Sequence, residues 1–343
     1  MLETMSKEKI AWRENCLNTI KMISAFSVMF FHAETHMSVN APNFLAFIFG
    51  LFPGVPVFFV LSGFLIWNSV GKSGNILEYS KKRFWRIFPQ LWSAKIVGVI
   101  VILFTYKDLT SYVKLAIYGI TSGVFLIPGT PDFLNDYGCG TPNGSLWTIY
   151  VTIQFYVVVY FMYKLLHKKR IQAWLTVIAI SLVVAFASNY AYRILPGALN
   201  SLYNLTIFRY FWLFAIGSFL AETRDKIIPM LKKYWFVFIG MAIVFLMFPK
   251  FDVELSGYGV FFCTLEILGL IGFAYRCPKI NVKFDFSYGI YLYHMIVVNA
   301  MIELGFTGKL YYMIIAILIS VFVSFVSEKT IGKLSIKRKH KAE

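Results

Sequence analysis

Val113–Pro128 reads VKLAIYGITSGVFLIP, an apolar run of marginal length that opens next to Lys114 and ends in Pro128-Gly129. If it crosses a bilayer, everything after it changes side; if it does not, the chain has one orientation throughout. A spanning helix needs about 20 mostly apolar residues. Working outward, runs that meet this lie at 19–37, 45–68, 88–106, 145–166, 172–192, 203–222, 233–249, 258–275, 286–304 and 310–328.

Lysine and arginine decide the matter. With 113–128 left uncrossed and the N-terminus cytoplasmic, the inside segments hold 26 of the 33 Lys and Arg, and the outside loops hold 5. The inside set includes His167-Lys168-Lys169-Arg170 and a basic tail at 329–343. Letting 113–128 cross would move both outside and erase the asymmetry, against the positive-inside rule. The expectation is an all-α, polytopic integral membrane protein of about ten transmembrane helices with both termini cytoplasmic. It forms a single membrane-embedded domain over 1–343, with a long exterior loop at 107–144 that has room for an amphipathic or re-entrant piece.

Composition agrees. The 343 residues are 58% hydrophobic and 15% charged, where soluble domains carry about 25% charged residues. The formal charge of +16 is distributed as topology signals between apolar runs, so nucleic acid is not among the expected partners; membrane lipids are. Cys16, Cys139, Cys263 and Cys277 are scattered without CxxC spacing, which supports neither a disulfide framework nor a zinc module. The first apolar run, interrupted by Lys21 and without a small-x-small cleavage site, does not read as a secretory signal.

Ionisable groups inside lipid are costly and mark function by default. The first span holds Asn18, Lys21, His32, Glu34 and His36. Lys21 and His32 are eleven residues apart, roughly 16 Å and nearly the same azimuth on a helix. One face thus presents a cation near the cytoplasm and an imidazole nearer the exterior. Lys21 would equally suit snorkelling to the inner interface; imidazole is a poor lipid-facing group that titrates near neutrality. His32-Ala33-Glu34-Thr35-His36 is not the HExxH of zinc proteases and has no evident third ligand, so no metal is expected. Gly71-Lys72-Ser73 resembles the end of a P-loop, but Ile66 stands where its first glycine belongs.

The first cytoplasmic segment contains Lys82-Arg83-Phe84-Trp85-Arg86-Ile87-Phe88-Pro89. Arg83 and Arg86 share a face if it is helical. Paired guanidinium groups beside aromatics suit a phosphorylated, purine-bearing ligand, and they also suit an anchor for lipid phosphate.

Taken together these stretches resemble the membrane acyltransferase family 3, bacterial enzymes that decorate cell-surface glycans. Asn18 to Lys21, ten intervening residues and His32 look like its opening basic-x10-His element. Phe52 to Phe64 (FPGVPVFFVLSGF), Lys82 to Pro89, Asn143-Gly144-Ser145-Leu146-Trp147 with Gln154-Phe155-Tyr156, Phe286 to His294 (FSYGIYLYH) and Ser327-Glu328-Lys329 match later elements in order. Asn18 stands where the family often has Asp, and Thr152 where it often has Glu. The chain looks like the membrane module alone.

The resemblance implies an acyltransferase of the O-acetyltransferase type in the bacterial inner (cytoplasmic) membrane. It would carry an acyl group, most often acetyl, from cytosolic acyl-CoA to a hydroxyl of a cell-surface glycan or its lipid-linked precursor. His32 would be the catalytic base, and Lys21, Arg83 and Arg86 would bind the acyl-CoA. Asn18, His36, Ser62, Trp147 and His294 would support the site or face the acceptor, Ser62 and Trp147 being candidate donors to the carbonyl oxygen. Acetyl-CoA would be a co-substrate, with no tightly bound cofactor. Ten spans and buried polar groups would also fit a transporter or flippase for a lipid-linked sugar; Asn18 and Thr152 would fit a non-catalytic member of an envelope complex.

Overall fold

The computed structural model describes residues 14–332 except Ser256. Lys7, Lys9 and Arg13 of the first inside segment and most of the 329–343 tail lie outside the described residues. Thirteen α-helices follow one another: α1 Leu17–His36, α2 Asn43–Gly50, α3 Gly54–Gly71, α4 Ile76–Thr105, α5 Tyr112–Gly123, α6 Trp147–Leu166, α7 Ile171–Ile194, α8 Gly197–Tyr203, α9 Phe211–Glu222, α10 Arg224–Met247, α11 Val260–Arg276, α12 Ser287–Glu303 and α13 Leu310–Ser327. The described strands are a two-residue antiparallel pair, Glu254–Leu255 with Tyr258–Gly259.

Among the described residues six segments are long and apolar enough to cross a membrane: Asn43–Gly71, Ile76–Thr105, Gly144–Leu166, Ile171–Ile194, Arg224–Met247 and Leu310–Gly332. Their outer faces carry exposed apolar side chains such as Phe104, Phe161, Val183, Phe236 and Phe322. An apolar surface of that extent is stable only against lipid, and the chain is a multi-pass membrane protein. α5 has 12 residues, about 18 Å of helix against a hydrocarbon core of about 30 Å. It stays within the 107–144 segment and packs beside α4.

Several boundaries differ from the sequence reading. The 45–68 run is broken between Gly50 and Gly54, where Pro53 withholds a backbone N–H. The 203–222 run is not one helix: α8 ends at Tyr203 and α9 begins at Phe211. In that break Arg209 donates to Asn204 and to Asn189 Oδ1 (3.3 Å) and lies 4.3 Å from the Tyr192 ring centroid, which is how a guanidinium is tolerated there. The 88–106 run begins twelve residues earlier, so Arg83 and Arg86 sit on a helix rather than in a loop. Its start is well specified: Asn75 Oδ1 accepts from Glu78 N (2.9 Å), and the Glu78 carboxylate accepts from Gly74 N behind it (2.7 Å) and from Lys82 Nζ one turn ahead (2.6 Å), a local variant of the reciprocal N-terminal cap.

Close helix crossings rest on small residues. A side chain on Gly217 of α9 would strike the Val60 carbonyl of α3. A side chain on Gly289 of α12 would meet Ser324 of α13. The most enclosed helix is α12, packed on α1, α4 and α13.

Candidate active site

Two polar groups are arranged along α1 and α12. At the end near α1's start, Lys21 ion-pairs with Asp285, which precedes α12 and also accepts from Ser287 N (3.1 Å) and Oγ (2.6 Å). Burial alone would raise the Asp285 carboxyl; the charges of Lys21 and Arg86 and the hydrogen bonds from Lys21 and Ser287 outweigh it and hold the carboxyl below its ordinary value. Asp285 escaped the sequence reading, although it is the lone acid in the otherwise basic stretch 276–286.

Beside this pair lies a cavity of about 190 Å³ whose walls include Lys21, Arg83, Arg86, Ser62, Thr152 and Tyr291. Arg83 donates to Ser69 Oγ (2.8 Å), with its guanidinium 5.5 Å from the Tyr156 ring centroid, and its Nε is buried without a partner among the described residues. Arg86 lies 5.8 Å from the Tyr288 ring centroid. The geometry therefore gathers the three cations named from sequence around one space walled largely by apolar and aromatic side chains. Thr152 faces that space too, where an acidic side chain would pair with the cations and compete with an anionic ligand for them.

One stage further along α1, His32 Nδ1 lies 2.8 Å from His294 Nε2, the rings 5.1 Å apart at 23°. His294 Nδ1 lies 2.9 Å from the Ile290 carbonyl oxygen. A carbonyl only accepts, so Nδ1 of His294 carries its proton; in the neutral ring Nε2 then has the lone pair. That lone pair accepts from His32 Nδ1–H, leaving His32 Nε2 as a lone pair free to take a proton. The relay sets the tautomer through a neighbouring group, as functional histidines commonly require. His36 is half-buried with its ring 5.7 Å from that of His32. Among the described residues no three His, Cys, Asp or Glu converge as a metal site.

Not every candidate joins the same space. His32 and His294 do not line the cationic cavity; Tyr291, one turn before His294, closes it on that side, with Phe58 and Thr148. Trp147 borders a different cavity, described below, so Ser62 is the carbonyl-donor candidate that shares the space with the cations. Asn18, the second residue of α1, lies fourteen residues before His32, about 21 Å along the helix, and neither it nor an aspartate there would touch that imidazole.

The Asn143–Trp147 element is structural as much as chemical. Asn143 Nδ2 donates to the Leu292 carbonyl (2.8 Å), and Ser145 Oγ donates to Asn143 Oδ1 (2.7 Å). Thr148 Oγ1 donates to Tyr291 Oη (2.6 Å). Farther along α12, Asn299 Oδ1 accepts from Cys139 N (2.8 Å) while its amide donates to the Thr141 and Pro142 carbonyls. These bonds clamp 138–148 onto the helix that carries His294. Glu328, in the last matched element, pairs with buried Gln90 of α4.

The molecule is a multi-helical membrane protein in which a histidine pair, His294 buried and His32 half-buried, lies along the same helices as a cation-lined cavity. Residues 14–329 match the family described as an acyltransferase domain. The chain belongs to that membrane acyltransferase family and is an enzyme of the O-acetyltransferase type. It is similar to nodulation protein 10 of Rhizobium leguminosarum bv. viciae, with 26% identity over 331 residues, 88% of each chain. It is also similar to the O-acetyl transferase of Shigella phage Sf6, with 23% identity over 339 residues, 95% of this chain and 97% of that one. The peptidoglycan O-acetyltransferase OatA of Listeria monocytogenes is 27% identical over 118 residues, 32% of this chain and 19% of the relative. No solved structure matches the chain.

Proposed function

We propose that the protein moves an acetyl group from cytosolic acetyl-CoA to a hydroxyl of a cell-surface glycan or its lipid-linked precursor, in the cytoplasmic membrane of a bacterium. The observation that carries this reading is the placement of Lys21, Arg83 and Arg86 around one cavity bordered by α1 and α12, the helices that carry His32 and His294. Guanidinium groups bind phosphate bidentately and stack on a purine, which matches the phosphorylated end of the donor. Its thioester arm would run past Tyr291 to the histidine pair.

There His32 Nε2 takes the proton of the acceptor hydroxyl as its oxygen bonds to the carbonyl carbon. The carbon–sulfur bond breaks, and the departing thiolate regains a proton to leave as free CoA. Ser62 borders the cationic cavity and would face the donor held there. A thioester is already activated, so this route needs no metal, bound cofactor or covalent enzyme intermediate.

The same reading has ten spans with both termini cytoplasmic, which puts the cationic cavity at the cytosolic face. Activity reporters fused after Arg170, Lys233 and Lys283 should read cytoplasmic and fusions within 129–142 exterior; the opposite pattern would detach the cavity from the cytosol and defeat the donor assignment. Transfer itself is tested with labelled acetyl-CoA and purified protein, alongside mass analysis of surface glycan from cells with and without the gene. Absence of acetyl loss in the glycan, with no acetyl-CoA turnover, would reject the proposal.

A further inference from the structure

A second cavity, about 240 Å³, lies between α4, α5 and the start of α6. Nothing in the donor mechanism uses it. Lys95 of α4 borders it, with Tyr118, Tyr150, Trp147, Thr130 and Asn143. Lys95 is nine residues beyond Arg86, about 14 Å farther along the helix, so it belongs to neither the cationic cavity nor the membrane surface near it. Its ammonium lies 5.5 Å from the Tyr118 ring centroid. Among the described residues it has no carboxylate partner, and no acidic side chain lines the cavity. An edge-on contact between Phe59 and Trp147, ring centroids 6.1 Å apart, stands between the two spaces: Phe59 borders the cationic cavity and Trp147 this one.

We infer that this cavity holds a sugar unit of the acceptor, separate from the unit whose hydroxyl reaches His32, which does not line it, and that Lys95 selects an anionic one, bearing a carboxylate or a phosphate. The inference rests on the acyl-transfer reading above and names the acceptor class for it. Three aromatic rings offer flat apolar faces with polar edges, which suit the C–H face and hydroxyls of a pyranose. A cation held at membrane depth without a counter-charge is costly, and an anion entering with the sugar relieves that cost. A neutral sugar would leave it in place. Asn143 contributes shape more than recognition, since its side-chain amide is already engaged by Leu292 and Ser145.

The test is direct binding of glucose, glucuronate and glucose 6-phosphate to the purified full chain in low-salt detergent, by titration calorimetry. At least one anionic sugar should bind about tenfold or more tighter than glucose, the lower range of close charge-pair couplings. Lys95→Gln should abolish that preference and Lys95→Arg should keep it, with acetyl-CoA binding retained in both as the control for folding. Equal binding of all three sugars, binding of none, or an anion preference that survives Lys95→Gln would overturn the inference. Failure of the wild-type protein to bind acetyl-CoA would instead strike the donor reading and leave the sugar result standing by itself.

Discussion

Replacing His294 with Leu separates positioning from proton abstraction. His294 holds His32 through the 2.8 Å bond between the rings and is itself fixed by the Ile290 carbonyl. Leu removes the acceptor for His32 Nδ1–H. An orphaned buried donor costs about 1–3 kcal/mol, and the His32 ring escapes that cost only by turning or by moving its proton to Nε2. Either change lowers the fraction of enzyme with a lone pair on Nε2, and at about 1.36 kcal/mol per decade turnover should fall roughly 5- to 150-fold. His32→Gln removes the base itself and should cost about 10²–10⁴-fold. His36→Gln, whose side chain lies outside the relay, should cost a few-fold at most. The assay is labelled acetyl transfer by purified protein at saturating acetyl-CoA, with protein level and melting temperature matched. KM for acetyl-CoA should be unchanged in His294→Leu, because His294 does not border the cationic cavity. Near-normal turnover in His32→Gln, or a loss in His294→Leu expressed entirely in KM, would refute the relay.

The donor cavity makes its own demands. Arg83→Ala or Arg86→Ala should raise KM for acetyl-CoA by about 10- to 100-fold, the worth of a charged hydrogen bond of roughly 1.5–3 kcal/mol, and Arg86→Lys should not restore it; unchanged donor affinity would reduce these residues to lipid anchors. Asp285 has its carboxyl depressed in the folded protein, so its contribution to stability is complete above the ordinary aspartate pKa and is lost as pH falls through the lower folded value. Thermal melts of the wild type should therefore show an acid limb below about pH 4 that flattens in Asp285→Asn; that variant should also melt lower at neutral pH, since it leaves Lys21 unpaired. Parallel pH profiles for the two proteins would remove Asp285 from the acid limb. Gly217→Leu should sharply reduce folded yield, because its side chain meets the Val60 carbonyl, while Gly50→Ala, with nothing within 4 Å of the added carbon, should be tolerated; detergent-stable yield by size-exclusion chromatography reads both.

The sequence by itself determined the class of molecule. Apolar runs of spanning length are a one-dimensional property, and so is the shortness of 113–128, where the helix is Tyr112–Gly123, only 12 residues. It also named Lys21, His32, Arg83 and Arg86, because a charge or imidazole inside or beside an apolar run carries its cost wherever the chain goes. Spacing within one helix fixed that Arg83 and Arg86 share a face, since only the local period matters.

Pairings across the bundle were decided by tertiary structure. His32 meets His294 and Lys21 meets Asp285 across more than 260 residues of chain, and no local signal encodes which helices become neighbours. The breaks at 51–53 and 204–210 interrupt runs whose hydropathy is continuous, because hydropathy averages over the prolines and buried polar pairs that stop a helix. Lys95 illustrates the limit best. On the chain it is one cation within a span; only the packing of α4 against α5 and the start of α6 gives it an aromatic-walled cavity, because a cavity is defined by what several helices leave unfilled between them.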